Sequence, residues 1–386
     1  MTRRPRRREQ QGRSLVDVTY QVEVGPVAHG GHCVARHEGR VIFVRHALPG
    51  ERVTVRVTEG DEGSRFLRGD AVAVLSAAPD RVSAPCRFAG PDACGGCDFQ
   101  HVSLAAQRSL KAAVVTEQMR RLAGLEMGIE VEPVPGDVDG LRWRTRVQYA
   151  VDRDGRRGFR KHRSHQVVAV DDCLISRHDA REVVTPGPVP GPAVELVETT
   201  AGRHLFEVAG DGFWQVHPGA PALLVEVVLS MLRPAPGERC LDLYAGVGLF
   251  SAFLAEAVGP TGSVVAVEGD RRAAEHARTN LSSYPTAVVR RGSVDRDLGS
   301  QPPEPVDLVV LDPPREGAKR AVVDQVVDRL PRAVAYVACD PAALSRDVAL
   351  FGERGYRLSQ LRAFDLFPMT HHVECVALLE RRGTDG

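Results

Sequence analysis

The chain lacks any run of about 18 apolar residues, so no membrane-spanning helix and no membrane partner are expected. It lacks net charge: 50 Lys and Arg balance 50 Asp and Glu, so bulk charge names no partner. Its basic N-terminus lacks the apolar segment of a secretory signal, which points to the cytoplasm. There thiols stay reduced, so disulfide bonding does not account for the eight cysteines. What remains is a 386-residue chain of ordinary apolar content, long enough for two or three domains.

Charge is present locally. Arg3, Arg4, Arg6, Arg7 and Arg8 form a basic tail, residues 1–14, that reads as disordered and is either solvated or a loose nucleic-acid tether. A second concentration holds Arg142, Arg144, Arg146, Arg153, Arg156, Arg157, Arg160, Lys161 and Arg163 against Asp152 and Asp154. It comprises an alternating strand, 143–151, and a basic turn, 156–161, containing Phe159. Cations with interleaved aromatics suit a polynucleotide, since phosphates pair with charge and rings stack on splayed bases. A solvated charged hairpin would look the same.

From Leu15 to about Ser76 the pattern is of short strands: Val16–Val24, Val41–Val44, Arg52–Thr58 and Asp70–Leu75, punctuated by Gly25-Pro26, Gly30-Gly31, Pro49-Gly50 and Gly60. Strands at this spacing suggest a small closed barrel, residues 15–77. The phrase Ala47-Leu48-Pro49-Gly50-Glu51-Arg52-Val53 resembles the TRAM domain, an OB-like RNA-binding barrel.

Cys86, Cys94 and Cys97 follow in the spacing C-x7-C-G-G-C, whose glycines let thiolates converge from one tight loop. Cys173 is the best candidate for a fourth ligand. Zinc and an iron–sulfur cluster both accept four thiolates. Cys33, Cys240 and Cys375 lie in strand-like contexts and read as structural. A helix is expected over 104–122, and Pro186-Gly187-Pro188-Val189-Pro190-Gly191-Pro192 predicts a linker over 185–200 without regular structure.

From Gly237 strands and helices alternate: strands at 239–244, 264–268, 287–289, 306–312 and 334–338, helices at 249–258 and 271–281. That is the pattern of a doubly wound parallel sheet with its ligand at the strand ends. Asp242-x-x-x-Gly246-x-Gly248 lacks the third glycine of a dinucleotide fingerprint. An acidic strand end before the glycines fits S-adenosylmethionine, which brings a sulfonium and an amino group but no phosphate, better than a pyrophosphate, and leaves a dinucleotide dehydrogenase as the minority reading. Glu268, ending the second strand, is placed to accept ribose hydroxyls. Asp312-Pro313-Pro314-Arg315 makes a rigid rim at the fourth strand end. Cys339 ends the fifth, before Asp340-Pro341. A final antiparallel strand is expected after Phe367-Pro368-Met369-Thr370-His371-His372-Val373-Glu374.

Taken together, the barrel, the cysteines, Phe213-Trp214-Gln215-Val216, Asp242–Gly248, Asp312–Arg315, Cys339-Asp340-Pro341 and Phe367–Glu374 resemble the RNA 5-methyluridine methyltransferase family over nearly the whole length. The resemblance implies a class I methyltransferase sheet (211–386), an OB-like TRAM barrel and a small central α+β domain (78–210) carrying a [4Fe–4S] cluster on Cys86, Cys94, Cys97 and Cys173. It implies cofactor contacts from Gln215, Tyr244, Glu268, Asp312 and Ser293, a nucleophile at Cys339 and a base at Glu374. The implied substrate is uracil in 23S rRNA or tRNA, and a monomer is expected. The chemistry needs a soft nucleophile with a lowered pKa to add at C6 and a carboxylate near C5. Two competing classes are a noncatalytic RNA-binding or chaperone protein on the same fold and a small-molecule methyltransferase. The family usually reads Ser-Cys-Asn-Pro where this chain has Ala338-Cys339-Asp340-Pro341. Asp340 would either raise the Cys339 pKa or cap the next helix. Ser293 stands where Asn or Asp often contacts the adenine.

Overall fold

The computed structural model describes residues 12–383, so the arginines of the tail at positions 3 to 8 lie outside it. Strands β1 (Thr19–Ala28), β2 (His32–His37), β3 (Arg40–Arg45), β4 (Arg52–Glu59) and β5 (Phe66–Ser76) close a barrel in the order β1-β2-β3-β5-β4, with β4 returning to β1. Alternate residues point inward, and Val22, Val24, Ile42, Val44, Val53, Val55 and Val57 fill it. The first strand starts three residues later than the pattern suggests, because Asp17 turns the chain with φ of 70°. Strand β2 was not among the expected strands, although Cys33 was placed in a strand-like context; one valine–alanine step flanked by Cys33 and Arg36 carries too little alternation to announce it.

Helix α1 (Leu104–Gln118) starts at Ser103, whose hydroxyl accepts the Ala106 N–H at 3.4 Å. It continues as a π turn, Met119–Ala123, and ends on Gly124 in the left-handed region. The helix is buried on several sides. Leu110 and Val114 pack on the barrel, while Val115 and Met119 join the core beneath the main sheet. Between them Lys111, 1% exposed, donates to Asp365 Oδ1 at 2.5 Å and to the Phe367 carbonyl at 3.0 Å.

After β6 (Val131–Glu132), strands β7 (Arg144–Val151), β8 (Arg157–Arg160), β9 (Val167–Ala169) and β10 (Ser176–Thr185) form a sheet in the order β10-β7-β8-β9. The expected basic turn is thus a strand: residues 152–155 make the turn, and Gly158 and Phe159 pair across to Ala169 and Val168. The expected linker is also partly regular. Beyond the proline run, β11 (Ala193–Thr199) and β12 (Gly202–Val208) form a hairpin, because Val197, Phe206 and Val208 are buried against the main core.

The last part alternates: α2 (Ala220–Leu232), β13 (Arg239–Leu243), α3 (Leu249–Val258), β14 (Ser263–Glu268), α4 (Arg271–Asn280), β15 (Ala287–Arg291), α5 (Val294–Gly299), β16 (Leu308–Leu311), α6 (Lys319–Val327), β17 (Ala333–Ala338), α7 (Pro341–Glu353), β18 (Tyr356–Phe364) and β19 (Glu374–Arg381). The sheet order is β15-β14-β13-β16-β17-β19-β18-β6. Strands β15 to β17 are parallel and β19 is antiparallel to both its neighbours. Helices α2 and α3 cover one face, α5, α6 and α7 the other. This is the class I methyltransferase fold, with its topological switch between β13 and β16.

Candidate active site

Every parallel strand delivers one expected residue at its carboxyl end, on the ligand side of such a sheet. Tyr244 follows β13, Glu268 ends β14, Ser293 follows β15 as the first cap of α5, Asp312 follows β16 and Cys339 follows β17. Register then supplies a partner. Ala338 of β17 faces Cys375 of the antiparallel β19, so the next step in each direction sets Cys339 against Glu374. The electrostatic coupling of this thiol and this carboxyl is direct.

Cys339 is half-buried in a cleft of about 200 Å³ that four parts of the chain enclose. His29 to Gly31 come from the barrel, Lys111 and Val114 from α1, Arg315 from the rim after β16, and His371 to Val373 from the loop before β19. The barrel turn is pressed on that loop: a Cβ on Gly31, which has φ of 76°, would lie 2.4 Å from the His371 Cβ. His371 is itself held by Asp98 at 2.6 Å, and Gln107 of α1 donates to the Phe99 and Val102 carbonyls while accepting the Met369 N–H at 2.8 Å.

The electrostatics differ from the expectation of a depressed thiol pKa. Burial and the Glu374 carboxyl push the Cys339 thiol up to about 11, against a lowering by Arg315. Burial holds Glu374 well above the usual carboxylate range, with Asp312 adding to it. Asp312 is pushed up to about 7 by burial and by Asp242 and Glu268. Asp242, fully buried after burial raises it to about 6, receives the Ser251 hydroxyl at 2.5 Å on one oxygen; the other has no partner among the described residues. Asp242, Asp312 and Glu374 thus form an acidic cluster behind Cys339 whose carboxyls burial and mutual repulsion hold toward the protonated side.

Around the glycine turn, Glu268 accepts the Gly246 N–H at 2.8 Å and the Asp270 N–H at 2.6 Å, one on each oxygen. Each oxygen keeps a lone pair for a hydroxyl. Tyr244 and Gly246 both take positive φ, 65° and 57°, which turns the backbone sharply outward from β13. Gln215 is 8% exposed. Its loop is anchored by Trp214 in the same apolar cluster as Ala245 and Val247, and by Thr145, whose N–H and hydroxyl both donate to the Val216 carbonyl.

The four expected cysteine ligands line one cavity, with Phe88, Phe159 and Ile175 around them. Amide donors point at two sulfurs: Gly96 N–H to Cys94 at 3.4 Å and the Gln100 side chain to Cys97 at 3.5 Å. Burial pushes the Cys97 thiol up to about 12 and raises Cys94 and Cys173. Among the described residues no three His, Cys, Asp or Glu side chains close on a single ion position. The donor set, four thiols with N–H groups directed at sulfur, fits a thiolate-held cluster. Cys33, Cys240 and Cys375 are buried in strands, as their contexts suggested.

Several arginines of the basic segment are tied up in structure. Arg142 forms a two-pronged pair with Asp172, and Arg146 pairs with Glu195 and the carbonyls of Ala209 and Gly212. Arg156 pairs with Asp152 and Asp154, and Arg157 with Glu182. Arg153, Arg160 and Lys161 keep their cationic ends free of side-chain partners among the described residues. Sequence reasoning missed His29, Lys111, Asp365 and Asp98. Their partners lie up to 311 residues away, and no local pattern marks them.

Three sequence profiles match: TRAM domain over residues 13–72, methyltransferase small domain over 220–336, and tRNA (uracil-5-)-methyltransferase over 304–382. An RNA methyltransferase of Streptomyces avermitilis is 47% identical, the match covering 94% of this chain and 98% of that one. The 23S rRNA (uracil(1939)-C(5))-methyltransferase RlmD of Shewanella sp. is 30% identical over 91% of this chain and 93% of its own. The crystal structure of Pyrococcus abyssi tRNA (uracil-54, C5)-methyltransferase with S-adenosyl-L-homocysteine shares the fold, with a TM-score of 0.68 at 21% identity, covering 93% of this chain and all of that one.

Proposed function

The chain belongs to the RNA uracil-C5 methyltransferase family, and we propose that it methylates C5 of a uridine in structured RNA through a covalent bond between Cys339 and C6. The observation that supports this reading is the register of β17 and β19, which continues from Ala338 and Cys375 to set Cys339, open to a cleft roofed by the barrel, against the buried Glu374. The 23S rRNA of the full-length relatives is the first substrate to test, and tRNA the second. The noncatalytic alternative is not favoured, since the relatives are named as enzymes.

S-adenosylmethionine, when bound, supplies an electrophilic methyl group and a positive sulfonium. The rest is the work of the chain. Cys339 gives its proton to solvent and adds as thiolate to C6, moving the C5–C6 π electrons into an enolate and making C5 nucleophilic. C5 takes the methyl as the methyl–sulfur bond breaks, its electron pair staying on the donor's sulfur, which leaves as a neutral thioether. The Glu374 carboxylate then removes the C5 proton, the C6–S bond breaks, and the thiolate returns. Burial holds both groups toward their protonated forms, so nearby positive charge favours the thiolate and carboxylate that act. Arg315 supplies part of it. The acidic cluster of Asp242, Asp312 and Glu374 suits a cation for the remainder, with Gln215, Tyr244, Glu268 and Ser293 as the proposed further contacts. Cys86, Cys94, Cys97 and Cys173 would hold the iron–sulfur cluster, in the cavity that Arg144 and Phe159 also line.

Cys339→Ala tests the mechanism: it folds and binds the methyl donor in calorimetry, yet mass mapping finds no 5-methyluridine. Retained methylation would overturn the covalent step. Anaerobically purified protein is expected to show iron–sulfur absorbance that Cys94→Ser abolishes; zinc in elemental analysis would replace the cluster assignment.

A further inference from the structure

Asp340 stands beside the nucleophile where the motif usually has asparagine, and both of its oxygens are engaged. Oδ1 accepts the Ala343 N–H at 2.8 Å and caps α7. An asparagine would cap equally well, so capping does not account for the charge. Oδ2 faces the Nε2 of His29 at 3.1 Å, across the cleft, from the barrel turn between β1 and β2. The close approach of Gly31 to His371 keeps that turn in place.

We propose that His29 is a positioning residue for the active site: as an imidazolium it holds the barrel turn over Asp340 and cancels the negative charge this carboxylate would otherwise set beside the Cys339 sulfur. The proposal rests on the reading of Cys339 as nucleophile. Its hydrogen bond to Asp340 raises the His29 pKa, and the same contact lowers that of Asp340 against the effect of burial. Other charged groups face the pair. Arg346 of α7 reaches both members and opposes protonation of His29, while Glu117 of α1 favours it. Cys339 is also faced by Glu374, Arg315 and Asp312. Of these, the Asp340 charge is the one with a counterion supplied by the barrel. Seating the barrel and readying the thiol are then one event.

The test reads the thiol directly. Alkylation of Cys339 in the full chain by iodoacetamide is followed against pH by peptide mass spectrometry, without RNA or methyl donor. His29→Gln keeps a hydrogen-bond donor but loses the charge; its Cys339 alkylation at pH 6.5 is expected to fall about fivefold. The double variant His29→Gln/Asp340→Asn is expected to recover it, because the anion is gone as well. The kcat for methylation should follow the same order, with KM for the methyl donor unchanged. Wild-type alkylation in His29→Gln, or a double variant no faster than the single one, overturns the proposal and leaves the contact a mechanical strut. If alkylation behaves as expected while the wild type forms no 5-methyluridine, the pairing stands and the reading of the substrate fails.

Discussion

Asp312 shows how a single carboxyl links protonation, stability and ligand. Its folded pKa of about 7 lies above its ordinary value of 3.8, so the folded form favours the proton. Any stability this gives is complete below pH 4 and is lost as pH rises through about 7. Asp312→Asn is therefore expected to stabilise the ligand-free protein at pH 8 by on the order of 1 kcal/mol in urea titrations. A cationic methyl donor reverses the preference. Wild-type affinity for S-adenosylmethionine should rise as pH passes 7, with proton release visible in calorimetry across buffers of different ionisation enthalpy. Asp312→Asn should bind weakly and without that pH dependence. The sequence showed Asp312 and Cys339 as strand-end residues, but not their protonation. That depends on Glu374 and Asp242 arriving from other strands and on the depth to which the sheet buries them.

At the scale of elements, α1 is the strut on which the barrel and the main sheet both rest. Its amphipathic pattern was legible, but not which side met which partner. The Lys111–Asp365 pair closes over 254 residues of sequence and is buried at both ends. Lys111→Met leaves Asp365 as a buried charge without its cation, a loss of about 3–5 kcal/mol expected as a lower urea midpoint. Lys111→Met/Asp365→Leu should recover much of it, since removing both charges is far less costly than removing one. The parallel strands were easy to read because burial on both faces makes them continuous apolar runs, as in Leu308–Leu311 and Ala333–Ala338. Strands β8 and β11 were hidden for the opposite reason. One is rich in arginine and the other follows a proline run, so only their pairing partners make them strands.

For the whole molecule, the boundary between the central and catalytic parts is one of sequence more than of space. The last strand of the main sheet, β6, comes from residues 131–132, and Glu132 holds Arg362 of β18 with two hydrogen bonds, at 2.9 and 2.7 Å. A fragment of residues 211–386 would bare the β18 edge and the apolar surface that Val115, Met119 and Val131 cover. It is expected to aggregate or to lose the cooperative thermal transition that the whole chain keeps. Order of synthesis gives β6 a further meaning. It leaves the ribosome some 230 residues before its partner, as the Glu132–Arg362 separation shows. The barrel and the cysteine loop can thus form while the nascent chain still grows, but α1 and β6 must wait, half covered, for the carboxyl-terminal strands. A methyltransferase assembled this way completes its active cleft only once β19 has been made, which keeps the Cys339 thiol from standing in a finished site before Glu374 arrives.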